Sequence, residues 1–199
     1  MSEAQPYNRE QAILEKMKPF MDEGFANSGQ ELQQEFEKRG YLDWERLETI
    51  LNKLLLQGKQ LQEEQKKGKI QFVVFSYLQG EALENRIEIK IDLFDEGFYL
   101  DMEECTGYFR PEIMQAQYIQ DIKKLHKETE KNFIRLQIYE LQEIEKSYAT
   151  RYRYICGLML KSMADLIMEV LSKSDIMLAE DIRLIYGAYM DKAVDFTRR

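Results

Sequence analysis

The sequence predicts an α+β fold, mainly helical, from three observations. Apolar residues recur at helical spacing through the first third of the chain. The period shortens to two after Lys69, and helical spacing returns after Pro111. The expected architecture is a set of N-terminal helices, a central three-stranded antiparallel β-meander over residues 69–103, and a C-terminal helical hairpin or bundle. At 199 residues, with 44% hydrophobic and 12% aromatic side chains, the chain suits a single domain, 1–199. Its parts are a helical segment 1–68, the meander 69–110 and a helical segment 111–199.

In order along the chain, Asn8 is positioned to cap a first helix that carries Ile13, Leu14, Met17 and Met21 on one face, with a kink expected at Pro19. Gly24 to Gly29 reads as a turn, and Ser28 with Glu31 as a capping box for a short helix ending at Gly40. Asp43 then opens a helix bearing Trp44, Leu47, Ile50, Leu51, Leu54 and Leu61, with Gly58 as its weak point.

Ile70 to Leu78 is β-branched and aromatic on both faces, as in a central strand. Arg86 to Leu93 alternates, with Ile87, Ile89, Ile91 and Leu93 facing a core and Arg86, Glu88, Lys90 and Asp92 facing water. Asp95-Glu96-Gly97 suits a hairpin loop with glycine left-handed, returning as a strand over Phe98 to Met102. Pro111 starts a helical stretch expected to break near Ser147–Thr150. Tyr154 to Ser172 forms a further helix, and Ser174 caps a last one carrying Ile182, Ile185, Tyr189 and Phe196. Between Tyr154 and Leu171 apolar residues leave only the Lys161–Asp165–Glu169 line for water. Burial on most sides, Leu166 included, is therefore expected, within the monomer or in a dimer.

Composition narrows the function classes. The net charge is −8, and residues 1–110 hold 14 Lys/Arg against 22 Asp/Glu while residues 111–199 hold 14 against 14. That balance argues against nucleic acid as a partner, because such binding draws its affinity from cations neutralising phosphates. Cys105 and Cys156 stand alone, without the partners that a disulfide framework or a zinc site requires. The polar N-terminus has no signal-peptide layout, and the charges within Tyr154–Leu171 are unsuited to a membrane span. A soluble, cytoplasmic protein with no membrane contact is expected.

Motifs for chemistry are sparse. His126 lies among Lys123, Lys124 and Lys127 with Glu130 one turn on, as a surface histidine would. Only four residues separate Cys105 from Arg110, one fewer than in phosphatase loops, so this segment reads as a strand-to-helix connection with a small buried thiol. Asp92, Asp95, Glu96, Asp101, Glu103 and Glu104 do not match a calcium loop, and suit a solvated β edge. The segment around Tyr148, Arg151, Tyr152 and Arg153 is the candidate ligand-binding site, since arginines interleaved with tyrosines can grip phosphate while the rings stack on bases. The plainer reading is a helix whose tyrosines face the core while its arginines reach water.

No catalytic residues, metal ligands or cofactor motif emerge. The function expected first is a protein–protein interaction or regulatory module without catalytic activity, through a protein partner or self-association. The alternative is a small-molecule sensor or binding domain with an apolar pocket between the meander and the C-terminal helices. An enzyme of unknown class comes third.

Overall fold

A computed structural model describes residues 9–78, 80 and 84–197. The expected cap at Asn8 lies outside these residues. The elements run α1 (Arg9–Glu63), β1 (Ile70–Tyr77), β2 (Ile89–Phe94), β3 (Thr106–Phe109), α2 (Glu112–Asn132), α3 (Ile138–Ser162), α4 (Ala164–Lys173), β4 (Leu178–Ala188) and β5 (Ala193–Asp195). The fold is α+β, with one mixed sheet in the order β3-β2-β1-β4-β5.

The expected meander is part of this sheet. β1 pairs antiparallel with β2, and β2 antiparallel with β3. Two features differ from expectation. The third strand is Thr106–Phe109, whereas Phe98–Leu100 forms a single 3-10 turn. Phe98, at φ 51°, takes the left-handed conformation expected of Gly97, which has φ −69°. The sheet also continues past β1. Residues expected as a last helix form β4, which pairs parallel to β1, and β5, which pairs antiparallel to β4. Ile185, Tyr189 and Phe196 keep helical spacing, but Leu184, Tyr186 and Ala188 keep strand spacing equally well. Only the distant β1 decides between the two, because its backbone needs a second neighbour.

The helices depart from expectation for similar reasons. α1 runs through Pro19 and through Gly24–Gly29, but it kinks at Arg39, where two helical segments meet beside the helix end expected at Gly40. Ser28 is not a cap: its hydroxyl donates to Asp121 of α2. Asp43 lies inside α1 and accepts the backbone N–H of Glu112 instead, so it caps α2 across the fold. Burial holds the Asp43 carboxyl above its ordinary value, against the opposing pull of those backbone amides. Gly58 does not weaken α1, since a Cβ there would come within 2.7 Å of Ile176 and the bare backbone lets the sheet approach. The break expected near Ser147–Thr150 falls instead at residues 133–137, between α2 and α3. Arg135 there has φ 57°, and Gln137 with Glu140 forms a reciprocal capping box at the start of α3.

The two faces of the sheet are closed differently. Gly107 of β3 rests against Ile50 and Leu54 of α1, and Tyr186 of β4 rests against Gly157 of α3. One hydrophobic cluster joins this helical face to all four helices. The opposite face was expected to be wet, but Lys90 and Asp92 are buried there, at 8% and 2% exposure. An aromatic lid accounts for the difference. Phe98 packs 4.6 Å from Phe72 and 5.6 Å from Phe94, and Tyr189 lies 4.5 Å beneath the Lys90 ammonium. Lys90 pairs with both Asp92 oxygens, at 2.7 and 2.8 Å, and Thr106 donates to the same carboxylate.

The loop that carries the lid is pinned by an ion pair between Lys67 and Asp101, whose side chains are 0% and 2% exposed. Lys67 also donates to the Glu103 carbonyl at 2.7 Å. Breaking such a pair leaves a buried charge uncompensated, so Asp101→Asn is expected to cost ~3–5 kcal/mol in urea denaturation. Replacing both partners, as Lys67→Met with Asp101→Leu, should cost less than the single change. A loss under ~1 kcal/mol for Asp101→Asn would mean that the pair is not dry.

Candidate functional site

The segment singled out in the sequence is divided by the structure between two places. Tyr148 and Tyr152 are successive inward positions of α3, buried at 2% and 0% exposure. Their hydroxyls donate to one oxygen of Asp121, at 2.8 and 2.7 Å. Ser28 of α1 donates to the other oxygen at 2.8 Å, and Gln117 adds a longer bond of 3.3 Å. Burial, reinforced by the Asp121 carboxylate, pushes both phenols far above their ordinary range, so they stay protonated donors. This is a structural hub: both Asp121 oxygens are engaged and the rings pack among Phe25 and Tyr118, whose own buried hydroxyl has no hydrogen-bond partner among the described residues. A cavity of about 220 Å³ reaches Asp121 past Phe20, Gly24 and Lys124. Arg151 lies 5.7 Å over the Tyr148 ring and pairs with Asp22 of α1.

Arg153 goes to the other side of α3 and helps to build a groove. Thr150, Arg153, Tyr154, Gly157, Leu158 and Lys161 are one stripe of that helix, spaced three and four apart. Facing them are Tyr77 at the end of β1, Tyr186 and Gly187 of β4, and Lys192, Val194 and Phe196 at the β5 ribbon. The groove has a volume of about 380 Å³. Its base is rigid. The Arg153 guanidinium stacks 4.5 Å over Tyr77 and donates to the Leu78 carbonyl at 3.2 Å. Tyr77 and Tyr186 are 5.9 Å apart, and the Tyr186 hydroxyl donates to the Arg153 carbonyl at 2.6 Å.

Two glycines make this geometry possible through space rather than through φ. A Cβ on Gly157 would sit 2.8 Å from the Tyr186 ring, so only glycine lets the ring lie flat on the helix. A Cβ on Gly187 would collide with the Lys192 carbonyl and Ala193, so only glycine lets the β5 ribbon fold back. The walls are apolar and meet water: Tyr154 is 67% exposed, Leu158 49% and Val194 70%. The expectation that the helix from Tyr154 to Leu171 is buried on most sides is therefore corrected. The chain breaks at Met163 between α3 and α4, and Leu166 is 43% exposed. The new helix direction turns Leu166 towards a shallow cleft with Trp44.

Sequence reasoning singled out Arg153 but missed Tyr77, Leu158, Tyr186 and Lys192. The α3 stripe was legible as a spacing. Its opposite wall was not, because that wall comes from residues read as a helix.

The remaining chemically suggestive residues are occupied elsewhere. The Cys105 thiol is buried, donates to the Leu54 carbonyl at 3.3 Å, and is pushed up to about 11 by burial, so it carries no thiolate at neutral pH. Asp92 and Asp101 of the acidic run are buried and paired with lysines rather than solvated. Among the described residues no cluster of His, Cys, Asp and Glu is arranged to hold a metal ion. No described helix is long and apolar enough to cross a membrane. Comparison with known protein families, curated proteins and solved structures finds no match for this chain.

His126 is half-buried at the α2–α3 contact, and its Nε2 lies 2.6 Å from Glu145 rather than bonding Glu130. That hydrogen bond holds the imidazole above its ordinary value, against the opposing effect of partial burial. A raised value in the folded state means that the bond stabilises the protein fully below the unfolded value of 6.5. The contribution is lost as pH rises through the folded value. His126→Gln should therefore flatten the expected fall in stability across neutral pH in urea titrations, by less than ~1 kcal/mol because the imidazole, 34% exposed, is partly screened by solvent. An unchanged pH slope would exclude this coupling.

Proposed function

We propose that this protein is a small-molecule-binding module without catalytic chemistry of its own, and that the groove between α3 and the β4–β5 ribbon is its binding site. The observation that carries this reading is the groove's composition. A rigid aromatic base and exposed aliphatic walls meet at one concavity of about 380 Å³, within the range of ~300–1,000 Å³ typical of small-ligand sites. Apolar surface left in water at a concave, preorganised place favours an apolar body that removes it from water.

Size favours a small molecule over a protein partner. A stable protein interface engages ~20–30 residues on each side, whereas twelve line this groove. The absence of an activated nucleophile or acid–base pair on its walls supports binding without turnover. The Tyr186 phenol and the Arg153 guanidinium there are engaged in holding the base together.

The test uses N-phenylnaphthylamine, a neutral probe whose fluorescence rises on transfer to an apolar site. It should bind saturably to the native protein. Leu158→Glu places a charge on an exposed wall and leaves the core untouched, so the fold should persist by circular dichroism while probe affinity drops about tenfold, the effect of ~1.4 kcal/mol. Saturable binding that Leu158→Glu leaves unchanged would place the probe elsewhere, and no binding at all would overturn the reading.

A further inference from the structure

The groove differs from the molecule's other clefts in its charge. Among the described residues, Arg153, Lys161 and Lys192 all line it, and no carboxylate does. Four other clefts each have at least one: Asp121 and Glu23, Glu48 and Glu169, Glu31 and Glu35, or Glu45 and Glu112. This concentration of cations occurs in a chain whose net charge is −8. Resting on the reading of the groove as the binding site, we infer that its ligand is an amphiphilic anion: an aromatic or acyl body bearing a single carboxylate, sulfonate or phosphate.

The arrangement divides the work between the two parts of such a ligand. The apolar body lies on Tyr186 and against Leu158 and Val194. The anionic group faces Lys161 from the helix and Lys192 from the ribbon, on opposite walls. Both lysines are exposed, and neither makes an ion pair among the described residues. Their charges are therefore available to a ligand without breaking an existing contact. Arg153 contributes a fixed positive charge at the base, held by Tyr77 and the Leu78 carbonyl.

The carboxylates nearest in sequence, Asp165, Asp191 and Asp195, lie outside the lining. Cations converging on an apolar cleft focus their potential there, because field lines concentrate between walls of low dielectric.

The test compares two probes of similar shape: the neutral N-phenylnaphthylamine and the anionic anilinonaphthalene sulfonate. The sulfonate should bind about tenfold tighter than the neutral probe at low salt, and the advantage should shrink as salt is added. In the double variant Lys161→Gln with Lys192→Gln, sulfonate affinity should fall about tenfold while the neutral probe is unaffected. Both lysines are exposed, so the variant should fold, and an unchanged melting curve confirms it. If the neutral probe binds but the sulfonate binds no tighter, or the double variant leaves the sulfonate's advantage intact, the inference of an anionic ligand is overturned and the groove reading stands. If neither probe binds, the groove reading fails and takes this inference with it.

Discussion

The arrangement of the helices depends on one buried carboxylate. Asp121 belongs to α2, yet its strongest hydrogen bonds come from Ser28 of α1 and from Tyr148 and Tyr152 of α3. A carboxylate at 4% exposure would be prohibitively costly without donors. Here three hydroxyls supply them, and in doing so they draw three helices to one point. The hub also fixes the rotation of α3. With Tyr148 and Tyr152 turned inward, Thr150, Arg153 and Tyr154 must emerge on other sides of the helix, as its 3.6-residue period dictates. The groove is thus a geometric consequence of the hub.

The second wall of the groove depends on a pairing between residues far apart in the chain. β4 joins β1 in parallel register, Phe75 opposite Tyr186 and Tyr77 opposite Ala188. Antiparallel neighbours can be linked by a tight turn, but a parallel neighbour needs a long crossover. Here α2, α3 and α4 lie in the chain between the sheet's two halves. The crossover brings α3 over the end of β4, and glycine at positions 157 and 187 lets helix, strand and ribbon close to contact distance. A side chain at either position would push one wall away from the other.

This division between local and distant causes explains what the sequence made legible. Ile70–Leu78 and Arg86–Leu93 were readable as strands, observed as Ile70–Tyr77 and Ile89–Phe94, because β-branched residues and strict alternation report a local preference that the sheet satisfies. The break expected beside Gly40 is present as the kink at Arg39, but the turn expected over Gly24–Gly29 is not: Gly24, Ser28 and Gly29 favour a turn locally, whereas Ser28 finds its partner 93 positions away. Asp43 looked like the start of its own helix and proves to cap another. Lys90 and Asp92 fit the polar side of an alternating strand, and nothing nearby foretold that Tyr189 would stack on the Lys90 ammonium or that Phe98 would cover the neighbouring Phe94. Within the groove, Arg153 was legible from its tyrosine-rich context. Lys192 and Tyr186 were not, since their meaning comes only from the parallel pairing.

The treatment of cations in the two settings gives the groove its character. Where a lysine enters the interior it is neutralised at once: Lys67 by Asp101, and Lys90 by Asp92. Desolvation requires this, because an unpaired buried ammonium is far costlier than the pair. Lys161 and Lys192 lie in water, where no such requirement acts, and other exposed lysines are likewise without a carboxylate partner. Lack of pairing alone is therefore uninformative. What distinguishes these two is position: they stand on opposite walls of a concavity whose base already carries the fixed charge of Arg153. The chain has 36 acidic residues against 28 Lys and Arg, and random placement would put acids there more often than bases. Like charges across a cleft repel one another and contribute nothing to folding, so the fold gives no reason for them to be there. A ligand's negative charge, placed between them, would turn that repulsion into attraction.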